Sequence, residues 1–249
     1  MNYPGGKGSS FRHLINLMPL HEVYIETHLG GGNVLERKRP AARSIGVDID
    51  VEVIEKWKER AWPGLTVIRA DAAEFLCEYK FTGRELVYAD PPYLHETRSR
   101  RDIYRFEYTH EQHVDLLAVL ASLPCAVMVS GYDSELYRLT LERRYGWRRH
   151  EFMAHTRRGM KREVVWFNFE PPAELHDPSY VGADYRERER IKRKRERWRR
   201  RFAAMSAGER QAIMEALLSV APDPAPPAAA VPPAVAPRDP AAIFDGAGL

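Results

Sequence analysis

The chain has 249 residues, 44% of them hydrophobic, a net charge of +3 and only two cysteines, Cys77 and Cys125. That length supports one packed domain with appendages, and the cysteines exclude a disulfide scaffold or a zinc framework, which makes a reducing cytoplasm the expected setting. The opening MNYPGGKGSS lacks a signal pattern, and the longest apolar stretch, roughly 116–129, is interrupted by Ser122 and Pro124, so no membrane span is expected.

In chain order, EVYIETHL (22–29) reads as a strand, rich in β-branched and aromatic residues. Gly30, Gly31 and Gly32 follow it and open a helix, where glycines let the backbone turn tightly and approach a ligand. The run is not a complete G-x-G-x-x-G, because Leu35 takes the last place, so a plain glycine turn stays open as a reading. The next strand, RSIGVDID (43–50), carries Asp48, 18 residues after Gly30. An acid at that spacing suits hydrogen bonds to ribose hydroxyls. VEVIEKWKERA (51–61) has helical periodicity, and its Trp57 reads as packing. GLTVIRAD (64–71) is a further strand and also ends on an acid, Asp71. No lysine placed to grip phosphate follows the glycines, so a nucleoside without phosphates, such as S-adenosylmethionine, fits better than a nucleotide triphosphate.

RELVYAD (84–90) is the next strand and runs into Pro91 and Pro92. Proline lacks the N–H that a central ladder needs. The strand therefore stops at Ala89 or Asp90, and DPPY forms a stiff turn at its carboxyl end, where open α/β sheets bind ligands. LHETRSRRDIYRFEYT (94–109) follows, with Arg98, Arg100 and Arg101 interleaved by Tyr104, Phe106 and Tyr108. It reads as a loop over the pocket that touches phosphates, or as a surface loop with a buried aromatic stripe. Thr109 and Gln112 fit a capping box for the helix EQHVDLLAVLASL (111–123). That capped start also accounts for His110 and His113, so no metal site is expected. CAVMVSG (125–131) and REVVWFNF (162–169) are strands, with a second basic loop, HTRRGMKRE (155–163), carrying Arg157, Arg158, Lys161 and Arg162. Strands alternating with helices predict an α/β, Rossmann-like domain over residues 1–175, with a mostly parallel sheet.

Charge then becomes local. Residues 186–201 hold eleven Arg or Lys and three Glu, whereas residues 1–185 sum to −2 and residues 202–249 to −3. The run, with Lys192, Arg193, Lys194 and Arg195 at its centre, is a footprint for a polyanion such as nucleic acid, or else a solvated helix. Residues 176–220 read as a basic helical extension in which Ser206 and Glu209 cap a second helix. Residues 221–249, rich in Pro and Ala, read as a disordered tail.

Four segments in this order resemble the Dam-like DNA adenine-N6 methyltransferases over about residues 1–170. They are Tyr3-Pro4-Gly5-Gly6-Lys7, Glu26-Thr27-His28-Leu29-Gly30-Gly31-Gly32, Asp48, and Asp90-Pro91-Pro92-Tyr93. The resemblance implies an S-adenosylmethionine-dependent methyltransferase fold and DNA with an extruded adenine as substrate. It also implies cofactor contacts from Tyr3, Gly5, Lys7, Thr27, His28, Leu29, Gly30, Gly32, Asp48, Ile49, Asp71, Ala72 and Asp90. Three departures stand out: His28 replaces an aromatic, Ala72 replaces a Phe or Tyr, and only 42 residues separate Asp48 from Asp90. That interval leaves no room for an inserted target-recognition region, so a short or relaxed site is expected.

The catalytic turn then has a chemical reading. The exocyclic amine of adenine is a poor nucleophile, because its lone pair is delocalised into the ring. A carboxylate from Asp90 and a carbonyl from Pro91, each accepting one N–H, would localise that lone pair and aim it. Pro91 and Pro92 would hold the acceptors rigid, and Tyr93 would offer a ring face to the extruded base. A cytosine amine or RNA as substrate, and an inactive core that only binds nucleic acid, remain the alternatives.

Overall fold

A computed structural model describes residues 6–8, 10–98, 105–156 and 159–220. Tyr3, Gly5, Arg100, Arg101, Arg157, Arg158 and the 221–249 tail lie outside the described residues. These fall into two compact units, one ending at His176 and the other starting at Asp177.

The first unit opens with helix α1 (Phe11–Ile15), strand β1 (Val23–Glu26), α2 (Asn33–Arg37), β2 (Arg43–Asp48), α3 (Val51–Arg60), β3 (Leu65–Arg69), α4 (Ala72–Glu78) and β4 (Glu85–Ala89). It continues with α5 (His110–Ser122), β5 (Ala126–Gly131), α6 (Glu135–Tyr137, prolonged by a π-helical turn over Arg138–Arg144), β6 (Arg148–Thr156) and β7 (Gly159–Phe167). The seven strands form one sheet in the order β3-β2-β1-β4-β5-β7-β6. All neighbours run parallel except β7, which is antiparallel to both β5 and β6. This is the Rossmann-like, mostly parallel α/β fold that the alternation of elements predicts. Strand order reverses between β1 and β4, and the open crevice at such a reversal, outside the carboxyl ends of the strands, is where these sheets bind ligands.

The central strands β1 and β5 are buried after their first residue, and all five residues of β4, ELVYA, are buried. That explains their continuous apolar runs. α5 starts as its sequence predicts: the Thr109 hydroxyl accepts from the Gln112 N–H, and the Gln112 side chain accepts in return from the Thr109 N–H. β6 corrects the sequence reading. The described residues of the segment read as a basic loop, 155–156 and 159–163, lie instead in the paired antiparallel strands β6 and β7, with Thr156 opposite Gly159 and Ala154 opposite Lys161. In β6 only Phe152 and Ala154 are buried, with Glu151, exposed Met153 and His155 beside them, so its period-2 signal is short and weak.

The glycine turn between β1 and α2 is fixed from below by α3. Trp57 is buried, and its indole N–H donates to the Gly30 carbonyl at 3.0 Å. Gly32 sits at φ +59° with its Cα facing that ring, so a Cβ there would lie 2.2 Å from the Trp57 ring. Both facts require glycine.

In the second unit, α7 (Tyr185–Ala204) carries the basic run and α8 (Ala207–Ser219) follows it, started by Ser206, whose hydroxyl accepts from the Glu209 N–H. Lys192, Arg193, Lys194 and Arg195 are all exposed on α7. Among the described residues no helix is long and apolar enough to cross a membrane.

Gly32→Ala combines a left-handed backbone with a clash and is expected to cost roughly 2–4 kcal/mol of stability. Urea denaturation checks this, and a loss under about 0.5 kcal/mol would show that Trp57 does not fix the turn.

Candidate functional site

The carboxyl ends of β1, β2, β3 and β4 surround a crevice of about 750 Å³, its open mouth included. Of the residues predicted to bind a cofactor, Lys7, Thr27, His28, Leu29, Gly30, Gly32, Asp48, Ile49, Asp71, Ala72 and Asp90 all line it. Of the DPPY turn, Asp90 and Pro92 line it, and Tyr93 sits behind Lys7.

Each acid at these strand ends accepts hydrogen bonds from nearby groups. Asp48 is buried and accepts from the Gly30 N–H at 2.8 Å and from the Asp50 N–H at 2.9 Å. It therefore ties the glycine turn to the end of β2 and still has acceptor capacity for a ligand hydroxyl. Burial raises its pKa against the pull of those N–H groups. Asp71 caps α4, accepting from the Ala73 and Glu74 N–H groups. Glu26, at the end of β1, is buried and accepts from the Tyr24 hydroxyl at 2.9 Å. Burial pushes its carboxyl up to about 8, with the charge of Asp90 adding to the rise and the Tyr24 hydrogen bond opposing it. Sequence reading placed Glu26 in the glycine motif but gave it no role.

His28 does not lie free to stack. Its Nδ1 pairs with the Thr27 hydroxyl and its Nε2 with the Tyr108 hydroxyl, both at 3.0 Å. Burial, with His113 nearby, lowers its pKa to about 3, so the ring is neutral. Tyr108 and Phe106 line the crevice from the segment after the DPPY turn, where sequence reading put a covering loop. Arg105 ties that segment to the start of α3 through Glu52 at 2.6 Å and Asp50 at 3.4 Å. Phe106 is 40% exposed and supplies an aromatic face to the crevice in which Ala72 supplies none.

Asp90 is the centre of a buried charge cluster. The Lys7 ammonium donates to both Asp90 oxygens, at 2.6 and 2.7 Å, and to the Tyr93 hydroxyl at 2.7 Å. Burial raises Asp90, and the ammonium opposes that rise. Glu163, on β7, faces the same ammonium at 4.0 Å and is buried. Tyr93 is only 6% exposed, and its ring meets the edge of Tyr132 at 4.5 Å between centroids. A base stacked on Tyr93 must therefore displace a neighbour, which corrects the expectation of an open ring platform. Tyr132 lacks any local sequence signal. The one pointer to Glu163 was an acid interrupting an otherwise apolar strand.

The predicted phosphate contacts divide. Arg98 is 3% exposed in its side chain and forks onto Glu107 at 2.6 and 3.0 Å, so its guanidinium is not presented to a phosphate as expected. Lys161 is likewise engaged inside the protein: it donates to the Thr97 carbonyl at 2.8 Å and lies 3.4 Å from the Tyr132 ring centroid. Arg162 is exposed and pairs with Glu151 at 3.2 Å. Among the described residues no group of three His, Cys, Asp or Glu could hold a metal ion.

No family model matches the chain, and no curated protein matches it. Among solved structures, it is similar to magnesium protoporphyrin IX methyltransferase from Synechocystis with bound S-adenosylmethionine, at 17% identity and TM-score 0.43, over 64% of this chain and 74% of that one. It is similar to a dimethyladenosine transferase from Plasmodium falciparum at 16% identity and TM-score 0.42, over 64% and 58%. It is also similar to precorrin 8W decarboxylase from Methanobacterium thermoautotrophicum at 15% identity and TM-score 0.43, over 66% and 91%. The strand order, not these likenesses, carries the fold assignment.

Glu26 generates a signed pH effect. The folded chain keeps its proton to about pH 8, whereas an unshifted glutamate loses it near 4.5. Folding therefore takes up a proton between these values, and stability falls as pH rises from about 4.5 to about 8. Glu26→Gln removes this loss. The variant is expected to gain on the wild type by on the order of 2–4 kcal/mol between pH 5 and pH 8, measured by urea denaturation across pH. A stability gap that does not change with pH would refute it.

Proposed function

We propose that this chain is a methyltransferase of Dam-like type that moves a methyl group from S-adenosylmethionine to N6 of an adenine extruded from DNA. The observation that carries the reading is the Asp90 carboxylate. It is fixed at the carboxyl end of β4 by Lys7 and opens on a crevice walled by the glycine turn and the strand-end acids Asp48 and Asp71.

The crevice fits the cofactor. Asp48 keeps acceptor capacity for ribose hydroxyls, and Glu26 is a buried carboxyl whose charged form a ligand ammonium would favour. Phe106 and Ile49 offer apolar faces for a purine ring. When bound, S-adenosylmethionine supplies an electrophilic methyl on a sulfonium. The work of the protein is to orient the acceptor. Asp90 accepts one N–H of the target amine and the Pro91 carbonyl the other, which localises the nitrogen lone pair toward the methyl. The proton released from the methylated nitrogen leaves to solvent. Lys192, Arg193, Lys194 and Arg195 on α7 give the chain a sequence-independent hold on the phosphate backbone.

The reading is tested by incubating the protein with labelled S-adenosylmethionine and unmethylated DNA and digesting the product to nucleosides. N6-methyladenine is expected from the wild type, and Asp90→Ala should lose about 10³-fold or more in kcat. Label in N4-methylcytosine, or in RNA alone, would replace the substrate. S-adenosylmethionine binding without transfer to any nucleic acid would sink the assignment.

The α7 contribution is read from salt. Replacing Lys192, Arg193, Lys194 and Arg195 together by Ala should make the slope of log affinity against log salt shallower by about 3–4. An unchanged slope would show that α7 is a solvated helix with no DNA contact.

A further inference from the structure

Glu163 poses a question that the methyl-transfer chemistry does not answer. It is buried, and among the described residues its Oε2 has no hydrogen-bond partner. Buried polar atoms are almost always paired, so an orphan inside a charge cluster asks for an explanation. Asp90 poses the complementary question. Each of its oxygens already accepts from the Lys7 ammonium, at 2.6 and 2.7 Å, so in the proposed role an N–H of the target amine shares an oxygen with that cation, which weakens the oxygen as an acceptor.

The two questions have one answer. Glu163 Oε2 lies 4.0 Å from the same Nζ that Asp90 holds. A move of the ammonium by about 1 Å would bring it to hydrogen-bond length from Glu163. The groups around it suit such a move. Tyr93, whose hydroxyl accepts from the ammonium, turns from the same strand end, and Lys161 is held away on Tyr132 and the Thr97 carbonyl. We propose that Glu163 is a positioning residue that receives the Lys7 ammonium when substrate enters, so that Asp90 turns to the amine while the ammonium keeps a carboxylate beside it.

The physics favours a second carboxylate over none. An ammonium pulled from its partner in a dry site would cost several kcal/mol if nothing replaced that partner. With Glu163 adjacent, Lys7 exchanges one carboxylate for another and remains protonated. No bond to carbon, nitrogen or sulfur changes in the step. The inference rests on the methyltransferase reading above, since it assumes an amine that needs Asp90.

The test is a steady-state comparison of wild type, Glu163→Gln and Glu163→Asp, together with S-adenosylmethionine binding by titration calorimetry. Glu163→Gln keeps the shape but removes the charge that receives the ammonium. Its kcat should fall at least about tenfold while S-adenosylmethionine affinity stays within about twofold, and Glu163→Asp should recover part of the loss. Wild-type kcat in Glu163→Gln would overturn the inference and leave the function standing. A second readout needs no DNA: in a crystal structure of Asp90→Asn, the Lys7 Nζ should lie within hydrogen-bond distance of Glu163 Oε2. An ammonium still seated on residue 90 would overturn the inference. If the wild type methylates nothing yet the ammonium relocates in Asp90→Asn, the assigned reaction falls and the mobile counterion remains.

Discussion

The contact between Lys7 and Asp90 is the constraint around which the site is arranged. It joins a residue ahead of α1 to the end of β4, 83 positions away in sequence, with the ammonium buried and the carboxylate only partly open to the crevice. A carboxyl group in such a place resists ionisation, and an amine resists protonation, unless each answers the other. The pair therefore requires a rigid cradle. β4 supplies it by being inaccessible along its whole length, and two prolines stop the chain from continuing as a strand. β1 lies against β4 in parallel register and brings Glu26 and the glycine turn to the same level. The geometry of the crevice follows from strands that all end on one side of the sheet.

Much of this was legible in the sequence, for a physical reason. Parallel strands buried on both faces must be apolar throughout, so segments such as RELVYAD and CAVMVSG declare themselves. Polar residues at the ends of such runs, Asp48, Asp71 and Asp90 among them, then fall on one rim by topology alone, because parallel strands share a direction. The same logic found the capped start of α5, where the whole signal lies within four residues.

What was not legible depends on partners distant in sequence or on weak periodicity. Arg98 and Lys161 look like cations offered to phosphate until Glu107, Thr97 and Tyr132 are seen around them. A charge in a sequence carries no record of what it faces. His28 presents the same difficulty: its ring is held edge-on between Thr27 and Tyr108, the latter 80 residues away. Glu163 escaped because β7 runs against the other strands. In an antiparallel strand it is the beginning, not the end, that reaches the ligand rim, and Val164 opposite Gly131 marks that crossing point.

β6 was overlooked because charges interrupt its apolar alternation, and those charges have a structural use of their own. It is an edge strand of nine residues, long for a row of backbone donors and acceptors open to addition of another strand. Arg148, Arg149 and Glu151 lie along it, engaged sideways with Glu170, Glu142 and Arg162. A foreign strand that docked there would have to desolvate or break these pairs. The residues that obscure β6 in the sequence thus act as gatekeepers against edge-to-edge aggregation, and the sheet can end in a long strand without recruiting a neighbour.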